Sequence, residues 1–371
     1  MINIAFVCEW GPDRARTWSG TPYSLFQSLD SIENINVVNI SLKLNRIENK
    51  LLNSLYKDKQ NFNVFRLGLL QSKMNQQLKD VDCDAVIEIG DIGIAKNKNY
   101  YTYQDLCIAS LMNLYDQDKP IYSRFSNFGQ YSYDDLVKRN KWQEKVYRNS
   151  KGIFTMSDWL KQTIDKNYSC AAGKTHTVHA GINVRLRPEE LKKDDYRYIL
   201  FIGRDFDRKN GRNVIEAFHK ISKDRHLRLI IAGPSKWPYE KSVPEDVIFL
   251  GDSDHITLSH YYQLADVFCM PSYFEAYGIV FPEALVRGIP CIGLNKYSMP
   301  EIIKDYGILV KEGTSDEIAA ALTETLNSSK YKANIERDKA QIIQTYSWNT
   351  IANDMVNQIK QDLASVPAAN K

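Results

Sequence analysis

Cysteine is sparse in this chain of 371 residues, and its six copies stand apart at Cys8, Cys83, Cys107, Cys170, Cys269 and Cys291. No Cys-x-x-Cys pair occurs, and several of the six lie in apolar strand-like runs. Buried reduced thiols in a cytoplasmic protein are expected, not a disulfide framework, and no zinc-ligand spacing of His or Cys is present. Long apolar runs are missing too, so no segment can span a bilayer as a helix. Residues 1–8 form a strand pattern with neither a basic leader nor a cleavage site, which argues against a signal peptide. A net charge of +3 is too small to point to nucleic acid. There is no Gly-x-x-x-x-Gly-Lys-Ser/Thr phosphate loop. One Asp-x-Asp pair, Asp82 and Asp84, precedes the apolar run 85–89 instead of following it, the wrong end of a strand for a substrate metal. No metal and no cofactor are therefore expected. Histidine is absent from the first 175 residues; all six lie at His176, His179, His219, His226, His255 and His260.

What is present is an alternation of strand and helix patterns, which argues for parallel sheets with helices on both faces. In the first part, strand patterns cover 2–7, 36–40, 85–89, 152–156 and 175–179. Helix patterns cover 21–29, 64–78, 105–114 and 134–148. Residues 183–196 are charged, contain Pro188 and lack a period, and read as a linker. The alternation then restarts with strands at 198–202, 227–232, 247–250, 267–270 and 290–294, and helices at 213–221 and 315–326. A chain of this length exceeds one ordinary core. Two Rossmann-like domains are expected, at 1–182 and 197–346, meeting at a deep cleft, with 347–371 as a final helix and tail.

The densest chemistry lies in Pro-Ser-Tyr-Phe-Glu-Ala-Tyr-Gly-Ile-Val-Phe-Pro-Glu, residues 271–283. Glu275 lies on the loop leaving a strand. Glu283 follows Pro282, which suits the first turn of a helix. The helix start near Tyr277, Gly278, Ile279 and Val280 offers backbone N–H groups to an anion. A carboxylate on each side of such a seat fits a nucleotide sugar, one acid for the sugar hydroxyls and one for the ribose. Arg204 and Lys209 follow the strand at 198–202. At the carboxyl end of a strand in such a sheet, a guanidinium and an ammonium form complementary phosphate clamps. The plain alternative is solvated surface charge, with Glu283 merely favouring a helix start.

These segments resemble the retaining glycosyltransferases of family four, which have the GT-B fold. Glu275 and Glu283 match that family's Glu-x7-Glu signature. Phe201-Ile-Gly-Arg204 with Lys209 and Gly211 looks like its Gly-Arg-x4-Lys segment, except that Asn210 intervenes before the glycine. Tyr262-x2-Ala265-Asp266-Val267 with Pro271-Ser272, Gly288-Ile-Pro-Cys-Ile292 and Val178-His-Ala-Gly-Ile182-Asn183 follow in family-like order and spacing. The resemblance implies transfer of a sugar from a nucleotide-diphosphate donor to a glycan or lipid-linked acceptor in a bacterial envelope. It also implies retention at the anomeric carbon, a front-face reaction without a metal, and a last helix that returns to the first domain. Gly20 and Thr21, in Trp18-Ser-Gly-Thr-Pro22, look like the loop that closes over diphosphate and acceptor. The family's first-domain histidine has no counterpart here. Asp105 falls at its place, either as a contact to sugar or acceptor or as a helix cap. Rival functions are a nucleotide-sugar epimerase or hydrolase on the same fold, or a non-catalytic glycan-binding subunit.

One local excess points to a partner. Between residues 119 and 151, eight Lys and Arg face three Asp and Glu, with Tyr122, Trp142 and Tyr147 interleaved. Such a stretch can dock at the inner face of an anionic membrane or form a solvated helix face.

Overall fold

Runs such as Ile4-Ala-Phe-Val-Cys8 and Ile199-Leu-Phe-Ile202 are apolar without alternation, as suits strands covered on both faces. A computed structural model describes residues 1–56, 62–184, 194–222 and 226–365 and builds these runs into two parallel sheets. The first contains β1 (Ile2–Cys8), β2 (Ile35–Ser41), β3 (Ala85–Ile89), β4 (Tyr100–Gln104), β5 (Gly152–Thr155) and β6 (Thr175–Thr177), in the order β2-β1-β3-β4-β5-β6. The second contains β7 (Arg197–Ile202), β8 (Leu227–Ala232), β9 (Val247–Gly251), β10 (Ala265–Cys269), β11 (Cys291–Leu294) and β12 (Gly307–Val310), in the order β12-β11-β10-β7-β8-β9. Strand order reverses between β1 and β3 in one sheet and between β7 and β10 in the other. Such a reversal opens a crevice at the carboxyl ends of the two strands, where ligands of doubly wound sheets bind.

The chain divides into two compact units. One comprises Met1–Ser123, Asn127–Gly181 and the segment that starts at Ser347; the other comprises Arg124–Ser126 and Ile182–Tyr346. The final helix, Trp348–Ala364, therefore belongs with the first sheet. Trp348, Ile351, Ala352, Met355, Val356 and Ile359 recur at helical spacing and are all buried. Tyr101 donates its hydroxyl to Asp362 Oδ2 at 3.0 Å, tying this helix to β4. Of the expected linker, residues 185–193 lie outside the described residues, while Asn183 and Val184 already belong to the second unit.

One local reading needs correction, and two elements were not expected. The helix expected from Asp105 begins at Ile108, with Cys107 before it. Its first N–H groups are satisfied from a distance: Ile108 N–H donates to Gln143 Oε1 at 2.7 Å and Ala109 N–H to the Tyr168 hydroxyl at 3.1 Å. Asp105 sits in the bend after β4 and is not the cap. The helix Arg46–Tyr56 was not expected, although Ile47, Leu51, Leu52 and Leu55 recur at helical spacing; of these Leu52 is buried and the other three are exposed. Strand β12 is four residues long, lies at the sheet edge and is only partly buried. The cysteines are unpaired thiols, and Cys8, Cys107, Cys269 and Cys291 are buried.

Candidate functional site

The loop after β7 and the loop after β10 meet at the reversal of the second sheet. Gly203 ends the first strand run, and a Cβ there would stand 2.7 Å from Lys209 Cγ. Its bare backbone lets the Lys209 stem lie across the strand end. Lys209 N–H donates to Asp205 O at 3.0 Å and Asn210 N–H to Asp207 O at 3.1 Å, coiling the loop. Asn210 takes a left-handed φ of 63°, which asparagine tolerates better than most residues. Its side chain donates to Gly313 O at 2.7 Å.

Lys209 is buried, and its ammonium hydrogen-bonds Glu275 Oε2, itself buried. Arg208 Nη1 lies 3.8 Å from the same oxygen and donates to Phe274 O at 2.8 Å. Tyr273 N–H donates to Arg208 O at 3.0 Å, and Ser272 Oγ lies 3.4 Å from Glu275 Oε2. Two cations therefore surround one carboxylate in a nearly water-free setting. Burial disfavours both charges and holds the Lys209 ammonium below its ordinary range, Arg208 adding to the effect while Glu275 opposes it. Burial pushes the Glu275 carboxyl up, but Lys209 and Arg208 outweigh it and hold the group below the usual glutamate value. Glu275 stays ionised, and Asp205, whose Oδ2 accepts Arg208 Nε–H at 3.1 Å, balances the second cation. Gly278, with φ 80°, closes the turn after Glu275; a Cβ there would meet Glu275 Cγ at 3.1 Å.

Arg204 is placed differently. Its side chain is 66% exposed, with Asp252 Oδ1 3.3 Å from Nη2. A surface pair of this kind holds a guanidinium loosely, so Arg204 is free to turn toward a ligand.

Glu283 lies in the first turn of the helix Val280–Leu285 and is buried. Its Oε1 accepts the backbone N–H groups of Asn183 and Val184 at 3.1 and 3.0 Å, and its Oε2 accepts the Tyr262 hydroxyl at 3.1 Å. Arg287 donates to Val184 O at 2.6 Å and stacks over Tyr262. Burial pushes the Glu283 carboxyl up, partly offset by these partners. Glu283 therefore fastens the entry segment of the second unit. Tyr277 is buried, and its carbonyl accepts the Ser298 hydroxyl at 2.8 Å, while Val280 O accepts from Tyr262 at 3.2 Å.

Gly20, Thr21 and Asp105 belong to the first unit. Trp18, Ser19 and Gly20 take φ values of 45°, 57° and 94°, three left-handed residues in succession, before the helix Thr21–Asp30. The Trp18 ring lies over Gly90, just past β3. Arg208, Ser272, Tyr262 and Arg287 were not singled out as site residues by the sequence reading. Two signals existed: Arg208 adjoins Lys209, and Tyr262 and Ser272 lie within the motifs that carry the resemblance.

The solved structure of sucrose-phosphate synthase from Thermosynechococcus elongatus superposes with a TM-score of 0.73 at 17% identity, covering 99% of this chain and all of that one. The fold is GT-B: α/β, with two parallel six-stranded sheets. Residues 184–341 match the family model "Glycosyl transferases group 1". The chain is 30% identical over 231 residues to an uncharacterised glycosyltransferase of Methanocaldococcus jannaschii, covering 56% of this chain and 59% of that protein. It is 28% identical over 247 residues to the O-antigen chain mannosyltransferase B of Escherichia coli, covering 60% of this chain and 65% of that protein. The matches thus span less than two thirds of these relatives.

Proposed function

We propose that the protein transfers a sugar from a nucleotide-diphosphate donor to a glycan or lipid-linked acceptor, with retention and without a metal, in envelope polysaccharide synthesis. The observation that carries this reading is the Lys209–Glu275–Arg208 cluster at the strand reversal between β7 and β10. Departure of a nucleoside diphosphate builds negative charge, which fixed cations in a dry site stabilise strongly. Lys209 and Arg204 take the diphosphate, with the helix start at Gly278, Ile279 and Val280. Glu275 accepts hydrogen bonds from the donor sugar's hydroxyls, and Tyr277 shapes the same loop. Glu283 is assigned to the ribose, through the one lone pair on Oε2 that Tyr262 leaves open. Gly20 and Thr21 are assigned to the loop over diphosphate and acceptor, and Asp105 to a contact with the donor sugar or the acceptor. The mannosyltransferase relative supports an envelope polysaccharide as the product class.

The test is an assay of nucleotide release from UDP- and GDP-sugars by the full chain, with and without envelope glycolipid acceptors, in the presence of chelator. Acceptor-dependent release, with the anomeric configuration kept in the product, is expected. Release without acceptor would move the assignment to an epimerase or hydrolase. Activity that needs added magnesium or manganese would remove the metal-free mechanism.

A further inference from the structure

Of the six tryptophans only Trp18 is exposed, at 47%; the others are buried or half-buried, as so large a ring usually is. Its indole is held out at a conformational cost. Trp18 and Ser19 take φ, ψ of 45°, 48° and 57°, 27°, both left-handed, and each such residue costs about 1–3 kcal/mol. The turn is pinned before them. Asp13 Oδ1 accepts Ala15 N–H at 2.9 Å, while Thr17 Oγ1 accepts Gly11 N–H at 3.0 Å and donates to Asp13 O at 3.2 Å. It is pinned after them too. Thr21 N–H donates to Trp18 O, and Thr21 and Pro22 are buried at the start of the helix Thr21–Asp30. The rim of the indole rests against Gly90, where a Cβ would stand 3.6 Å from Cη2. Among the described residues no hydrogen bond and no aromatic ring engages the indole itself.

The Trp18–Gly90 contact joins the loop leaving β1 to the loop leaving β3, the two strands that flank the reversal of the first sheet. A doubly wound sheet receives its ligand there. The surface around the ring is polar: Asp13, Arg14, Arg16 and Ser19 are exposed, and the Arg14 guanidinium lies 5.5 Å from the Trp10 ring. One apolar ring among such groups is too small for the centre of a protein pair, which buries ~1,600 Å². It fits a small ligand with an apolar face and a hydroxylated edge.

We infer that Trp18 is the platform on which a pyranose ring of the acceptor stacks, its edge hydroxyls meeting the polar groups around the indole. This rests on the proposed function, which puts the donor at the second sheet and leaves the crevice of the first to the acceptor. The C–H groups on one face of a pyranose suit the negative face of an aromatic ring. A tryptophan supplies that contact at little entropic cost, having two side-chain torsions to fix. The turn is ordered before the acceptor arrives, so its strain does not subtract from binding. Trp18 is then a specificity-determining residue, choosing sugars that offer an unobstructed C–H face.

Saturation-transfer NMR on the full chain, with the methyl pyranosides of glucose, mannose, galactose and N-acetylglucosamine as probes, tests this without turnover. Transfer to the C–H protons on one face of at least one probe is expected in the parent and in Trp18→Phe. It should be lost in Trp18→Asn. Asparagine tolerates the left-handed conformation and the position is exposed, so both variants should melt with the parent. In the turnover assay, Trp18→Asn should raise the acceptor KM about tenfold or more and leave the KM of the nucleotide sugar unchanged, while Trp18→Phe stays close to the parent. No transfer in the parent, equal transfer in Trp18→Asn, or a loss in Trp18→Phe as large as in Trp18→Asn each overturns the inference. Nucleotide release without any acceptor would defeat the proposed function instead, and the NMR comparison would still decide whether Trp18 holds a sugar.

Discussion

The two sheets reverse their strand order in the same way yet fill the reversal with different material. Between β7 and β10 the chain places charge: Lys209, Arg208 and Glu275, buried together and mutually neutralised in part. Between β1 and β3 it places strained backbone: Trp18, Ser19 and Gly20 in left-handed conformations, lying over Gly90, itself at φ 89°. Left-handed non-glycine residues cost about 1–3 kcal/mol each and persist where surrounding structure holds them. The nearest ionisable group on β3 is Glu88, fully buried, with Oε1 accepting Gly93 N–H at 3.0 Å and Oε2 without a partner. On the proposed function, one reversal would stabilise charge that appears during a reaction. The other is built to hold a loop shape and keeps its own carboxyl out of water. The same topology serves two tasks because only the loops differ.

The comparison is broken most directly at Lys209. Lys209→Ala leaves Glu275 with Arg208 alone and removes a fixed cation from the leaving-group site. A loss of about 2–4 kcal/mol in transition-state stabilisation is expected, read as a 30- to 1000-fold fall in kcat/KM. Removing one partner of a buried pair also costs stability, about 3–5 kcal/mol where nothing compensates, so melting is measured alongside. An unchanged kcat/KM would take Lys209 out of the mechanism and leave the second reversal as structural as the first.

A smaller effect separates the two acids of the second unit. Glu275→Ala should damage turnover, since Glu275 lies in the cation cluster. Glu283→Ala should mainly weaken binding of the free nucleoside diphosphate, by about tenfold, or ~1.4 kcal/mol. It also strips the buried Val184 N–H and the half-buried Asn183 N–H of their acceptor. Calorimetric titration of the nucleotide into both variants decides. Parental affinity in Glu283→Ala, with a lowered melting temperature, would make Glu283 a clamp on the entry segment and nothing more.

The second reversal was legible in the sequence to an unusual degree, because its residues are consecutive or nearly so. Gly203, Arg204 and Lys209 follow one apolar run, and Glu275 follows another, so alternation alone brings them to one end of one sheet. What stayed hidden depends on contacts across the chain. Arg208 reads as one more surface cation until Phe274 O and Glu275 are found beside it. Glu283 reads as a helix-start acid facing a ligand, and its bonds to residues a hundred positions away are invisible in a local pattern. The start of the helix at Ile108 was misread for the same reason: its cap comes from Gln143 and Tyr168. The helix Arg46–Tyr56 was legible, since Ile47, Leu51, Leu52 and Leu55 recur at helical spacing, and it went unread; its unusual feature is that three of the four are exposed.

The first reversal yields the smallest effect and the one most easily confused with packing. Burial, with Asp91 adding to it, pushes the Glu88 carboxyl well above its ordinary value, while the N–H groups of Gly93 and Ile92 and the Arg139 guanidinium oppose the shift. A raised pKa in the folded state means that folding favours the protonated acid. The stabilising contribution is therefore complete below the unfolded value near 4.5 and is lost as pH rises toward the folded value. Glu88→Gln keeps an oxygen for Gly93 N–H and cannot ionise. Near pH 4 the variant and the parent should melt alike. As pH rises to 8, the parent should lose stability relative to the variant, and the gap should open in one direction only. Activity should change little, since Glu88 is sealed from any ligand. A gap in melting temperature that stays constant from pH 4 to pH 8 would show that Glu88 does not titrate abnormally. The first reversal would then differ from the second in its backbone alone.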